Sequence, residues 1–208
     1  MLETVLPDHE RYLGELEELA PGGFFLGLGL HLGKPQVMVN RFPEPWVRHW
    51  EQDVFLGRDP IALWVISQAN DAVARWSEIS VPDNFGILEK ACEHGLCYGA
   101  TLVTRIGRRR SCLSAARPDR EFTDAELSEL GGRLNLLAHL FAKSDLVLTE
   151  KEIEALRQMK HGLTHTEAGE SLGISASALK LRLSSAQKKL GCRNIVSAVA
   201  RAVEEDLI

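Results

Sequence analysis

The closing stretch, residues 148–208, carries its own punctuation: LTEKEIEALRQMKHGLTHTEAGESLGISASALKLRLSSAQKKLGCRNIVSAVARAVEEDLI. Thr149 is followed three residues later by Glu152, and Thr164 by Glu167. This is the capping-box pattern, in which each side chain meets the other residue's orphan backbone N–H at a helix start. Ser175 supplies a third N-cap. Gly162, Gly173 and Gly191 each follow a helical run, where the chain needs a left-handed residue to stop. The spacing predicts four short helices, the last over about 194–204. Helices this short are not stable alone. The segment can therefore only be a compact all-α unit in which they cover one another.

The third helix has two distinct faces. At 100° per residue, Leu179, Leu183, Ala186 and Leu190 fall within about 60° of one another and form the buried side. Ser177, Lys180, Ser184, Gln187 and Lys188 lie opposite. These short polar, amide and cationic side chains suit base edges and phosphates. Arg182 and Lys189 flank them and are expected to clamp backbone. Two capped short helices, a tight turn and a basic amphipathic helix fit helix-turn-helix geometry.

Net charge looks unfavourable for such a role, because the chain is −5 overall. It is unevenly placed. From Glu150 onward nine Lys/Arg face eight Asp/Glu, leaving 15 basic and 21 acidic residues upstream. Residues 171–203 hold Lys180, Arg182, Lys188, Lys189, Arg193 and Arg201 and no acid. A local basic run governs phosphate contact, and whole-chain charge does not.

Upstream, helices and strands mix. Tyr12, Leu13, Leu16 and Leu19 predict a helix over 8–19, stopped at Pro21-Gly22-Gly23. FFLGLGLHL and PQVMVNRF predict a hairpin turning at Gly33-Lys34-Pro35. Trp46 and Trp50 share a helix face. Asp59-Pro60 fits an N-cap followed by Pro at N1, opening a helix to about Gln68. A helix over 84–98 would bury Phe85, Leu88, Ala91 and Cys92, with Gly95 as its stop. GATLVTRI and SCLSAAR are two further strands, joined at Gly107-Arg108-Arg109-Arg110, read as a solvated hairpin tip. A long helix begins at Thr123 or Asp124, with Leu127, Leu130, Leu134, Leu137 and Phe141 as core or dimer seam. Gly131-Gly132 inside it suggests close packing. The expected fold is α+β: an N-terminal α-β-α sandwich around an antiparallel sheet over 1–142, a linker at 143–147, and the four-helix unit over 148–208.

None of Cys92, Cys97, Cys112 and Cys192 is spaced as a CxxC pair, so zinc is not expected. They read as small side chains of a reducing compartment. The first 19 residues lack the basic and apolar regions of a signal peptide. No apolar run reaches the ~18 residues of a membrane span. A soluble, cytoplasmic protein is expected. No Ser/His/Asp elbow, metal box or phosphate loop points to an enzyme.

The closing segment resembles the helix-turn-helix of LuxR-type transcriptional regulators, whose pattern runs LTxRExExL, GxTxxEIA, LxIS, a recognition helix, and KLGxxNRxxAVAxAxxxGLI. Glu152, Leu156, Gly162, Thr164, Glu167, Leu172, Ile174, Ser175, Ala186, Lys189, Leu190, Gly191, Asn194, Ala198, Ala202, Leu207 and Ile208 match it. Leu163 stands where Lys is usual, Ala168-Gly169 replaces Ile-Ala, Ala178 replaces Thr, and Arg182 replaces a common His. The resemblance implies DNA contacts from Thr164, Ser175, Ser177, Lys180, Arg182, Ser184, Gln187 and Lys188.

Residues 42–114 resemble the acyl-homoserine-lactone-binding domain of quorum-sensing regulators. Pro43, Trp46, Asp59 and Pro60 stand in the family's P-x-x-W…D-P register. Trp76-Ser77 and the Gly95–Gly99 G-x-x-x-G follow, and Ser114 falls on a strand position whose hydroxyl meets the ligand. Trp50 replaces the family's Tyr, and two extra residues separate Asp59 from Trp76. The implied ligand site is Asp59 accepting from the amide, Trp46 donating to the lactone carbonyl and Ser114 meeting the amide carbonyl. Phe42, Leu63 and Trp76 would pack on ring and chain, with Trp50 and Gly99 beside them. The resemblance implies a homodimer binding an inverted repeat in double-stranded DNA, under control of an N-acyl-homoserine lactone, with RNA polymerase as a further candidate partner and no cofactor. The alternative is an orphan regulator that binds another ligand or none and answers to a protein partner.

Overall fold

The structure, a computed structural model, describes residues 8–30, 33–52, 57–107, 109–143, 148–204 and 207–208. The chain divides into two compact units, Met1–Ala142 and Lys143–Ile208. The expected linker lies outside the described residues except for Lys143.

The first unit runs α1 (His9–Leu19), β1 (Gly23–Leu30), β2 (Val37–Asn40), α2 (Glu44–Gln52), α3 (Pro60–Ser67), β3 (Ala72–Arg75), a 3-10 turn at Trp76–Glu78, α4 (Ile87–Glu93), β4 (Tyr98–Ile106), β5 (Arg109–Arg117) and α5 (Asp124–Ala142). The five strands pair antiparallel in the order β2-β1-β5-β4-β3. The edge strand β3 is absent from the strands expected from sequence. Its four residues, AVAR, give too short an alternation to stand out.

Alternation sorts the sheet into two faces. Leu26 pairs with Leu113 and Leu113 with Leu102, and this row faces α5, where the Leu102 side chain lies beside Gly131. Helices α1 and α5 pack on this side. Of the stripe, Leu130, Leu134, Leu137 and Phe141 are buried here as core, and Leu127 is half-buried. Gly131 is in ordinary contact distance of Leu102, whereas Gly132 meets nothing, so only the first fits the expected close packing. Phe25 pairs with Ser114 and Ser114 with Thr101 on the opposite face, which α2, α3 and α4 cover.

Helix α4 is shorter than expected. The Asp83 carboxylate accepts from Ile87 N (2.9 Å) and Leu88 N (2.8 Å) and fixes its start. Gly95, at φ 82°, ends it. Its buried face is therefore Ile87 and Ala91, and Phe85 precedes the helix, 50% exposed. Cys92 and Cys97, expected as separate thiols, are joined in a disulfide across this stop. The hairpin arginines are engaged rather than merely solvated. Arg109 donates to Gln36 (2.9 Å) and Arg110 to the Ile66 and Gln68 carbonyls. Arg108 lies outside the described residues.

The second unit holds α6 (Glu150–Lys160), α7 (His165–Ser171), α8 (Ala176–Lys189) and α9 (Ile195–Glu204). Both capping boxes form. Thr149 N donates to Glu152 (2.7 Å) and Thr164 N to Glu167 (2.8 Å), with the hydroxyls accepting in return. Ser175 accepts from Ala178 N at 3.1 Å. Its core is Ala155, Leu156, Ala168, Leu179, Leu183, Ala186, Leu190, Ala198 and Ala202. Among the described residues, no helix is long and apolar enough to cross a membrane.

Candidate ligand cavity and DNA-binding helix

Between the sheet and α2–α4 lies a cavity of about 180 Å³. Phe25, Met38, Ile61, Val65, Ile66, Ile87 and Ala91 make most of its wall apolar. Of the ligand residues expected from sequence, Phe42, Trp46, Trp50, Asp59, Trp76 and Ser114 line it, and Leu63 and Gly99 do not. Leu63 misses because α3 presents Ile61, Ala62, Val65 and Ile66. That is the 3,4-spaced face of a helix.

Asp59 organises the polar end. One carboxylate oxygen accepts from Ile61 N (2.7 Å) and Ala62 N (3.3 Å), so the residue caps α3. The other accepts from the Trp50 indole N–H at 2.9 Å. Pro60 at N1 donates no hydrogen bond, which leaves both amides to the cap. Burial pushes the Asp59 carboxyl above its ordinary range, against the Trp50, Ile61 and Ala62 hydrogen bonds that pull it down; nearby Asp83 adds to the rise. Trp50 is thus a direct partner of Asp59, a pairing not anticipated from their sequence spacing.

The far wall is a hydrogen-bonded chain. The Trp76 indole donates to the Thr101 hydroxyl (2.9 Å), which lies 2.8 Å from the Ser114 hydroxyl. Thr101 is fully buried and Ser114 nearly so. Gly99 makes this chain possible. A Cβ there would sit 2.1 Å from the Trp76 ring, so the glycine makes room for the indole. Thr101 escaped sequence reasoning, although it is two residues from Gly99 and so shares its face of the strand. Trp46 is buried and stacks on His49, with centroids 6.1 Å apart and planes 13° apart. Burial pushes the Cys112 thiol in the cavity wall up to about 12, which keeps it neutral.

In the second unit, Ser177, Lys180, Ser184 and Lys188 of α8 are exposed, and Arg182 and Gln187 half-buried. Thr164 and Ser175 sit at the starts of α7 and α8 as caps. Lys189 is not a backbone clamp. It donates to Glu152 at 2.9 Å, with its side chain 14% exposed. Ser185 donates to the other Glu152 oxygen at 2.6 Å. Burial alone would raise the Glu152 carboxyl, but Lys189, Ser185 and the Thr149 amide outweigh it and hold it below the ordinary value. Arg201, an exposed residue, donates to the Leu190 carbonyl at 2.7 Å. Gly169 has a reason to lack a side chain, because a Cβ would lie 2.8 Å from the Ile174 carbonyl oxygen. The α7–α8 turn closes over that point.

An apolar, acid-anchored cavity in the first unit and a capped helix-turn-helix in the second fit a DNA-binding transcriptional regulator with a ligand domain. Comparison with known families agrees. Residues 24–144 match the autoinducer binding domain, and residues 146–202 match the luxR family of bacterial regulatory proteins. The chain belongs to the LuxR family of transcriptional regulators with an autoinducer-binding domain, which are not enzymes. It is similar to the transcriptional activator protein SolR of Ralstonia solanacearum, with 27% identity covering 86% of this chain and 81% of that one. The transcriptional activator protein VanR of Vibrio anguillarum is 27% identical over 94% of this chain and 89% of its own. The crystal structure of Escherichia coli SdiA shares the fold, with a TM-score of 0.63 and 21% identity over 98% of this chain and 93% of that one.

Proposed function

We propose that the chain is a dimeric, cytoplasmic quorum-sensing regulator whose binding to an inverted repeat in DNA is controlled by an N-acyl-homoserine lactone. The observation that carries this reading is the polar end of the cavity. Asp59 keeps lone-pair capacity beyond its Trp50 bond, and can accept from a ligand amide N–H. Ser114 stands on the facing strand to meet the amide carbonyl, and the Trp46 indole donates to the lactone carbonyl. Phe42 and Trp76 pack on ring and chain. A volume of about 180 Å³ lies below the ~300–1,000 Å³ of usual ligand sites, which favours short acyl chains. For the dimer, the exposed Val196 and Val203 of α9 are the available apolar positions, spaced seven apart on one helix face. Two-fold symmetry would match an inverted repeat, with α8 of each copy in successive major grooves. Ligand would shift the population able to dock both helices.

A second reading is an orphan regulator that answers to another ligand or to a protein. The Trp50–Asp59 bond favours it, because the indole N–H already engages the carboxylate oxygen that a ligand amide would use. Thermal melts of the full chain with lactones of graded acyl length, and with octanoyl glycerol as a comparison, separate the two. A lactone-specific rise in melting temperature that Asp59→Asn abolishes supports the first. No shift with any lactone, and none extracted from protein made in a lactone-producing host, sinks it.

A further inference from the structure

The outward side of α8 carries one side chain that charge and hydrogen bonding do not explain. Leu181 is 73% exposed. With Ser177 set at 0° and about 100° per residue, the buried Leu179, Leu183, Ala186 and Leu190 centre near 210°. Leu181 falls near 40°, within about 10° of the point opposite that core. It is therefore the middle of the face that the helix turns outward, although it is not one of the polar residues that suggest DNA contact. Ser177 and Ser184, four before and three after it, are both exposed. Their side chains are short, so the isobutyl group stands above its surroundings.

The surroundings select the partner. Lys180 and Lys188 are exposed on the same helix, and residues 171–203 contain no acid. A leucine set among serines, on a helix with exposed cations and no acid, suits a polyanion that carries an isolated apolar group, better than an apolar protein surface. The major groove offers such a group, because the thymine C5-methyl is the one apolar feature among the base edges there. We propose that Leu181 reads a thymine, packing its isobutyl group on the C5-methyl while Lys180 and Lys188 hold the flanking phosphates. This rests on the reading of α8 as the helix that enters the major groove.

The test uses the full chain and a duplex that it selects from a random pool, with and without N-octanoyl-homoserine lactone. Each thymine of the selected duplex is then replaced singly by deoxyuridine, which removes only the methyl. The parent chain is expected to lose about three- to ten-fold in affinity at one thymine per half-site, the scale of burying one methyl group. Leu181→Ala should lose a similar factor on the unmodified duplex and become indifferent to that replacement. Leu181→Met, which keeps an apolar reach, should stay sensitive. The proposal is overturned if Leu181→Ala binds as tightly as the parent, as for a protein-docking leucine, or remains equally sensitive to deoxyuridine. If the parent itself selects no duplex in either condition, the reading of α8 fails first and the thymine contact with it. Matching melting temperatures of parent and variants keep misfolding out of the comparison.

Discussion

At the scale of single residues, two glycines carry more than their neighbours. Gly99 leaves room for the Trp76 indole, and a Cβ 2.1 Å from that ring would drive it away. Gly99→Ala should then break the Trp76–Thr101–Ser114 chain as well as overpack the wall. The cost of such overpacking is about 1–3 kcal/mol. A drop of several degrees in the melting temperature of the full chain, with loss of any lactone-induced rise, would be measured by differential scanning fluorimetry. An unchanged melt would show that the wall can yield. The resemblance placed Gly99 near the site, but its role was not legible, because a glycine's function belongs to whichever atom occupies the space it leaves. Gly169 makes the same point. In the sequence it looks like a fault in a helix, and in the fold it admits the Ile174 carbonyl. Asp59 was legible as a cap because its role is local to Pro60, Ile61 and Ala62. Its bond to Trp50 was not, because that contact spans two helices.

At the scale of elements, local chemistry fixed what could be read in advance. The helices of the second unit start and stop where Thr149, Thr164, Ser175 and the three glycines place them, since caps act within one turn. The true length of α4 escaped although its cap is local, the Asp83 side chain lying only four and five residues before Ile87 and Leu88. Strand β3 escaped because it depends on a partner distant in sequence, β4. Lys189 was assigned to DNA for the same reason, since its partner Glu152 is 37 residues away. That buried pair has a consequence for pH. The Glu152 carboxyl in the folded unit lies below its ordinary value of 4.5. An acid held below its unfolded value stabilises the fold above that value and loses the contribution as pH falls through the folded one. Unfolding of the helix-turn-helix unit, followed by far-ultraviolet circular dichroism, should therefore become easier below about pH 4.5. Glu152→Gln should be less stable at pH 7 and show a flatter acid limb. Equal acid sensitivity of the two proteins would remove Glu152 from the explanation.

At the scale of the whole molecule, the question is how a chain of net charge −5 holds DNA. Most of the acid belongs to Met1–Ala142 rather than to the reader, Lys143–Ile208, and within the reader Lys189 pairs with Glu152 while Arg201 donates to the Leu190 carbonyl. Lys180 and Lys188 are exposed on α8, and Lys151, Lys160 and Arg193 are exposed elsewhere in the unit. Each phosphate neutralised contributes about 0.9 to the slope of log K against log salt, so Lys180→Ala should reduce the slope by about one unit per recognition helix engaged and weaken binding across sequences alike. Its lactone-induced thermal shift should equal the parent's. Asp59→Asn should behave in the opposite way, keeping the salt slope and losing the ligand response. Anisotropy titrations over a range of salt, beside melts with lactone, measure both properties on the same preparations. If either substitution moved both properties equally, sensing and reading would not be divided between the two units.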